Sequence, residues 1–244
     1  MDKWDDGTYF SRKTELLYMH CDKYQRAHIS ALLGLVAETA IDGDTASGFG
    51  LEYYAEYRQT YVYTRLAMRI KELPARGDSV TATGWYTGAW DNRFHRDFEL
   101  ADDAGNVQVT VRVEKALFDA ENRRVLSTDD LHSKPFKPSG RRADAPICKM
   151  VLIERELPVV GSRTMLFSDI DNNWHVGYMT LVKIAIDYLP EDFRDSGYSD
   201  AYFNFIREIP EGSELEMRGD FSENGYLIQG FVDGKLRFCG EFVK

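Results

Sequence analysis

Cysteine is scarce in this chain and nowhere paired. Cys21, Cys148 and Cys239 are the only three. They form no Cys-x-x-Cys pair, and none stands at metal-ligand spacing from a histidine. An odd count at wide spacing argues against a disulfide framework or a zinc site, and for free thiols in a reducing compartment. Cys239, between Phe238 and Gly240 in a strand-like run, is expected to be structural. Long hydrophobic runs are missing too. The longest weakly polar stretch, Ile29 to Ala37, is far too short to cross a bilayer. Met1-Asp2-Lys3-Trp4-Asp5-Asp6 has no apolar segment after a basic start, so no secretory signal is expected. These absences predict a cytoplasmic protein that does not engage a membrane. Positive charge is in deficit, with 30 Lys and Arg against 40 Asp and Glu and a net charge of −10. Nucleic-acid binding needs a basic footprint and is not expected. An acidic chain also repels acidic partners unless its cations gather locally. Arg123-Arg124, Lys134, Lys137 and Arg141-Arg142 form such a gathering in sequence. No metal-ligand cluster or phosphate-cradling glycine loop occurs, so no cofactor is expected.

What is present is ordinary globular material, 43% apolar and 29% charged over 244 residues, enough for one large domain or two of ordinary size. The stretch from His132 to Cys148 breaks the pattern with Pro135, Pro138, Gly140, Pro146 and few apolar residues. It reads as a surface linker, which gives a first unit over 1–133, a linker over 134–148 and a second unit over 149–244. The two units look like repeats. Ile70-Lys71-Glu72-Leu73-Pro74 resembles Ile206-Arg207-Glu208-Ile209-Pro210, and a glycine-containing turn and an alternating strand follow each. Upstream, Asp22 and His28 have the spacing of Asp169 and His175. A repeat at this distance suggests duplication of a whole domain.

In the first unit Ile29, Leu32, Leu33, Val36, Ala37 and Ala40 fall on one helical face, and Asp42-Gly43-Asp44 is expected to end that helix. In the second, Val176, Met179, Val182, Ala185, Ile186 and Leu189 give a stripe that Pro190 closes. Strands are expected over 61–70, 79–85, 107–118 and 214–221, and within 227–242, with turns at 102–106 and 232–235. Each unit therefore reads as one long buried helix followed by antiparallel strands, an α+β arrangement. A curved sheet wrapped around the helix satisfies this order, but propensity alone does not choose it over other α+β layouts.

The densest polar cluster, Asp169-Ile170-Asp171-Asn172-Asn173-Trp174-His175, stands directly before the most apolar helix. Helix capping needs one such residue; it does not explain Asp171, Asn173 and His175 on alternate positions. A helix N-terminus gathers unpaired N–H groups. Such donors stabilise a developing oxyanion, each worth about 3 kcal/mol of barrier. A carboxylate can act as base or nucleophile, and an imidazole moves protons near neutral pH. In the first unit the equivalents of Asp171 and Asn173 are read as Tyr24 and Arg26, so His28 is expected to be structural and the chain to carry one active site.

The Asp171-x-Asn173-x-His175 core resembles the acyl-acyl carrier protein thioesterases of plants and bacteria, whose motif runs Asp-x-Asp-x-Asn-x-His-Val-Asn-Asn. Tyr61-Val62-Tyr63-Thr64-Arg65, Arg96-Asp97, Asp103-Ala104-Gly105, Arg123-Arg124 and Phe205-Ile206-Arg207-Glu208 are similar to further family segments in the same order. The resemblance spans residues 10 to 242. It implies a tandem double hot-dog, each unit a long central helix wrapped by a curved antiparallel sheet. It implies hydrolysis of fatty acyl-carrier-protein thioesters without metal or cofactor. By it, Asp171, Asn173, His175 and Glu208 are catalytic, with Asp171 either positioning or attacking. The chemistry is expected in the second unit and the acyl chain in the first, along Ile29, Leu33 and Val36. Arg123, Arg124, Arg141 and Arg142 are expected to face the acidic carrier protein. A double unit already contains the interface that single hot-dogs make by pairing, so monomer and homodimer both stay open. The sequence departs from the family at Gly177-Tyr178, where Asn-Asn is expected, at Lys115, where a tryptophan is expected, and at Ile209, where plant members have a cysteine. The rivals are a coenzyme A thioesterase, a hot-dog dehydratase and an acyl-binding protein without turnover.

Overall fold

The structure, a computed structural model, describes residues 3–5, 9–132 and 137–244. Two compact units divide the chain, one of Met1–Thr64 with Met68–Ile147 and one of Arg65–Ala67 with Cys148–Lys244.

The first unit begins with β1 (Lys3–Asp5) and β2 (Tyr9–Glu15), a 3-10 turn at Tyr18–His20, then α1 (Ile29–Ala46) and α2 (Leu51–Tyr57). β3 (Gln59–Ile70), β4 (Ser79–Trp90), β5 (Arg93–Ala101), β6 (Val107–Asp119) and β7 (Arg124–Val125) follow. The strand order is β1-β2-β4-β5-β6-β3, with β7 on the β6 end. The apolar stripe of α1 is its buried face, since Ile29, Leu32, Leu33, Val36, Ala37 and Ala40 are all buried. Each such large aliphatic side chain contributes about 1.5–3 kcal/mol of transfer free energy. Arg96 Nη1 donates to Ala40 O on α1 at 3.2 Å. The two-residue period of a strand puts Phe98 and Leu100 on the same face of β5, and both are buried.

Asp42-Gly43-Asp44 does not end the helix, which continues to Ala46. The polar residues there are used sideways. Asp42 pairs with Arg12, and Asp44 with Arg96 and Lys115. A β-carbon on Gly43 would stand 3.4 Å from Phe10 Cβ, in van der Waals contact, so α1 packs directly against β2 there.

The opposite face of β4–β6 carries a second small core. Trp85 packs with Ala143, Ala145 and Tyr9, and its Nε1 donates to Arg141 O at 3.0 Å. Asp97, wholly buried, accepts two bonds of 2.7 Å from Arg112 and one of 2.9 Å from Ala143 N. Arg112 in turn donates to Ala143 O and Ala145 O. Of the expected linker 134–148, residues 134–136 lie outside the described residues. The part around 141–145 is pinned to the first unit by these contacts, and the division between units falls after Ile147.

The second unit comprises β8 (Val159–Thr164), a 3-10 turn at Phe167–Asp169, α3 (Tyr178–Asp187), α4 (Glu191–Ser196), β9 (Asp200–Phe205), β10 (Glu214–Ser222), β11 (Gly225–Val232) and β12 (Lys235–Val243). Its strands run in the order β9-β12-β11-β10-β8, all antiparallel. The residues Asp233 and Gly234, at φ 51° and 68°, make the tight β11–β12 hairpin that the sequence predicts. Val182, Ile184 and Ala185 of α3 are wholly buried, as are Phe203, Leu215, Met217, Ile228, Phe238 and Phe242. α3 is shorter than its apolar stripe: Val176 precedes it and Leu189 follows it. Pro190 does not close α3 directly, since Tyr188 is its C-cap; Pro190 is the N-cap of α4. Cys239 is buried, and burial pushes its thiol up to about 11. No helix among the described residues is long and apolar enough to cross a membrane.

Candidate active site

The candidate site is a tight turn just before α3. Asp171 N–H donates to His175 O at 3.0 Å, and Trp174 N–H donates to Asp171 O at 3.0 Å. Asp171 Oδ1 accepts Asn173 N–H at 2.8 Å. Trp174 takes a left-handed φ of 66°, and Ile170 bridges Val176 across the base of the turn. Asp171 therefore caps its own turn rather than the helix, whose N-cap is Gly177. The first acid of the motif, Asp169, accepts from Arg163 Nη2 and from Leu166 N–H at 2.9 Å, which makes it part of the scaffold.

The turn recurs in the first unit and corrects the register of the repeat. Asp22 N–H donates to Arg26 O, Gln25 N–H to Asp22 O, and Tyr24 N–H to Asp22 Oδ1, with Gln25 at φ 63°. Asp22 is thus the counterpart of Asp171, Tyr24 of Asn173, Arg26 of His175, and His28 of Gly177, since each of the last two is a helix N-cap. The sequence alignment of Asp22 with Asp169 is displaced by two positions. The downstream repeat slips by one. Ala27 N–H donates to Pro74 O as Val176 N–H does to Ile209 O, which sets Glu208 against Leu73.

Within the turn the carboxylate and the imidazole are close. His175 Nδ1 lies 4.0 Å from Asp171 Oδ1 and 3.1 Å from Val176 O. A carbonyl only accepts, so Nδ1 carries the proton. In the neutral ring Nε2 then holds the lone pair and can take a proton. His175 is about one-quarter exposed, and the Asn173 side chain is exposed. A β-carbon at Gly177 would stand 2.8 Å from Asp171 Oδ2, so a larger residue there would shift the carboxylate. Glu208 follows β9 in an exposed segment. The bond from Val176 N–H to Ile209 O, 2.9 Å, ties that segment to the turn. The structure thus places Asp171, Asn173 and His175 in one turn and hangs the Glu208 segment from its end.

Ile29, Leu33 and Val36 are buried on α1. The four expected carrier-facing arginines are all in the first unit. Arg124 pairs with Asp119 at 3.5 Å, Arg141 pairs with Glu99 and stacks over Trp85, and Arg142 stacks over Trp90. Arg123 takes a left-handed φ of 51° in the β6–β7 turn. Among the described residues no group of three or more His, Cys, Asp or Glu could hold a metal ion. The close approach of position 177 to the Asp171 carboxylate is not legible in the sequence, where Gly177 shows only as a departure from Asn.

A family model of the acyl-ACP thioesterase N-terminal domain matches residues 7–134, more than half of the chain. Among solved structures, an acyl-ACP thioesterase from Bacteroides thetaiotaomicron is 21% identical with a TM-score of 0.86, covering 96% of this chain and 97% of that one. A 12:0-ACP thioesterase from Umbellularia californica is 18% identical with a TM-score of 0.81, covering 96% of each chain. A MaoC-like dehydratase from Phytophthora capsici reaches a TM-score of 0.53 at 14% identity, over 75% of this chain and 71% of that one. At these identities the likeness establishes fold, a hot-dog-like α+β arrangement. Curated protein sequences give no significant match. The chain belongs to the acyl-ACP thioesterase family, and it is a thiolester hydrolase.

Proposed function

We propose that this enzyme hydrolyses fatty acyl thioesters carried on acyl carrier protein, releasing the free fatty acid and the carrier thiol. The observation that carries the reading is the geometry of the turn. His175 Nδ1 lies 3.1 Å from Val176 O and 4.0 Å from Asp171 Oδ1, an arrangement that favours the Nδ1–H tautomer and so leaves Nε2 as the proton acceptor. Each unit is read as one hot-dog, a tandem double hot-dog with the chemistry in the second unit. The acyl chain lies in the first unit along Ile29, Leu33 and Val36.

In this mechanism Asn173 and the first N–H groups of α3 polarise the thioester carbonyl. Glu208 and His175 take a proton from water as its oxygen bonds to the carbonyl carbon. The tetrahedral intermediate collapses, the C–S bond breaks, and the sulfur receives the proton. Asp171 orders the turn; direct attack by its carboxylate, through a transient anhydride, is the alternative route. Arg123, Arg124, Arg141 and Arg142 are proposed to meet the acidic carrier, and the enzyme is proposed to work in the cytoplasm as a monomer or homodimer. A coenzyme A ester would react by the same steps.

Thiol release from matched acyl-carrier-protein and acyl-coenzyme A panels, with wild type, Asp171→Asn and His175→Ala, tests the reading. Preference for carrier-linked esters that collapses in both variants supports it. Preference for coenzyme A esters overturns the partner, and full activity in His175→Ala overturns the site. Absence of thiol release from every ester overturns the substrate class.

A further inference from the structure

The segment that carries Glu208 is gripped by a bulge in the neighbouring strand. Gly230 pairs with Phe238 and Phe231 with Leu236, so Arg237 is the extra residue on β12. Its carbonyl accepts Ile206 N–H at 2.8 Å and Arg207 N–H at 3.1 Å, where the chain leaves β9. Its guanidinium reaches the next residue: Arg237 Nη1 donates to Glu208 O at 3.2 Å. One bulged residue thus holds three successive residues, two with its main chain and one with its side chain. Val176 N–H holds the residue after them through Ile209 O at 2.9 Å.

The first unit has the same bulge. Leu100 pairs with Val109 and Ala101 with Val107, which makes Gln108 the extra residue on β6. Gln108 O accepts Lys71 N–H at 2.9 Å and Glu72 N–H at 3.3 Å. Arg237 therefore corresponds to Gln108, as Glu208 does to Leu73. The fold needs the main-chain clasp, and glutamine supplies it without a charge. Bulges re-aim side chains beside sites. In the second unit the re-aimed side chain is a cation that holds a carboxylate-bearing residue; in the first both counterparts are uncharged. Stability does not explain the arginine. Its bond to Glu208 O is exposed, where one hydrogen bond adds little to folding. Its Nε is buried without a hydrogen-bond partner among the described residues, which disfavours it.

We propose that Arg237 is a positioning residue for thioester hydrolysis. Its guanidinium fixes the main chain of Glu208, and with it the point from which the carboxylate reaches water. The inference rests on the reading that Glu208 takes a proton in the reaction. Arg237 itself does not touch the reacting atoms. It restricts the Glu208 peptide to one placement between the bulge and the Val176 clasp, and a displacement of about 1 Å in such a group costs up to about a hundredfold in rate.

Thiol release is measured on a chain-length series of alkanoyl pantetheine thioesters, at the length wild type cleaves fastest. The variants are Arg237→Gln, Arg237→Lys, Glu208→Gln and the double variant of Arg237→Gln with Glu208→Gln. Because glutamine holds the same bulge in the first unit, Arg237→Gln is expected to keep the wild-type urea midpoint. It should lower kcat by about tenfold and leave KM within about twofold, as for a group that acts only on the reacting step. Arg237→Lys keeps a cation and a donor and should recover most of that loss. In the Glu208→Gln background, Arg237→Gln should change kcat by less than about twofold, because the two residues act as one unit. The proposal is overturned by an unchanged kcat in Arg237→Gln, by a loss that Arg237→Lys does not reduce, or by the same fold loss in both backgrounds, which would mark a structural arginine and leave Glu208 its role. Wild-type kcat in Glu208→Gln is a different failure: it removes Glu208 from the reaction, and this role of Arg237 with it.

Discussion

Asp171 Oδ2 stands 2.8 Å from the point where a β-carbon on Gly177 would sit. The backbone at Gly177, with φ −67°, would accept alanine without strain. The added methyl would therefore act on the carboxylate. Gly177→Ala is expected to lower kcat/KM by roughly tenfold to a hundredfold, as for catalytic groups displaced by about 1 Å. The accompanying loss of stability should be about 1 kcal/mol or less, since Ala replaces Gly at an N-cap. Thiol release and a melting curve on the same preparation check both. Wild-type activity would mean that the position of Asp171 does not matter.

His175→Gln and Asn173→Ala should reduce kcat by about a hundredfold or more, the usual worth of a positioned proton-transfer group or oxyanion donor. Neither side chain is deeply buried, so unfolding midpoints should scarcely move. Asp171→Ala should lose stability as well as rate, because its Oδ1 holds Asn173 N–H at 2.8 Å. Parallel kinetics and urea unfolding separate the two kinds of loss.

Much of this was legible in the sequence, for identifiable reasons. The α1 stripe and the strands from 61, 79, 107 and 214 were readable because burial on one face imposes a period on the residues. β2, half-polar along Tyr9–Glu15, and β5, where the charged Arg96 and Asp97 are buried on opposite faces in ion pairs, lack a clear apolar–polar alternation. The end of α1 was misread because Asp42-Gly43-Asp44 looks like a stop until Arg12, Arg96 and Lys115 arrive from other elements. The candidate turn stood out as a motif, but its register against the first unit did not. Only backbone hydrogen bonds show that Asp22, and not Tyr24, matches Asp171.

His95 is buried against Trp90, with ring centres 3.5 Å apart, and burial pulls its pKa down to about 4. The unfolded chain takes up that proton near pH 6.5, well above the folded one, so stability falls as pH drops from 6.5 towards 4. The two values differ by an amount worth ~3 kcal/mol. His95→Phe should flatten this part of the curve, and urea midpoints at pH 7 and 4.5 measure it. An unchanged slope would assign the acid sensitivity to another group.

Asp97 is fully buried against Arg112 and holds Ala143 N–H. Asp97→Ala would strand a guanidinium in the interior and should cost about 3–5 kcal/mol. The 139–145 segment should then become sensitive to proteases before the rest of the first unit. Limited proteolysis with mass analysis reads the order of cleavage.

Reversing charge at Arg123 and Arg142 is expected to raise KM for carrier-linked esters while sparing small free thioesters, with the difference shrinking at high salt. Equal effects on both substrates would remove these residues from carrier docking.

The paired turns at Asp22 and Asp171 have an evolutionary reading. An aspartate, a left-handed residue at the same position (Gln25 and Trp174) and the same carbonyl clasp build both turns, so the scaffold of a site exists in each unit whether or not chemistry occurs there. Within this loop the two turns differ in the pair of side chains at 173 and 175, Asn173 and His175, where the first unit has Tyr24 and Arg26; on the proposed mechanism that pair separates a working turn from a silent one. A duplicated fold of this kind can gain or lose a reactive centre by a few substitutions, without first having to invent or dismantle the loop that presents it.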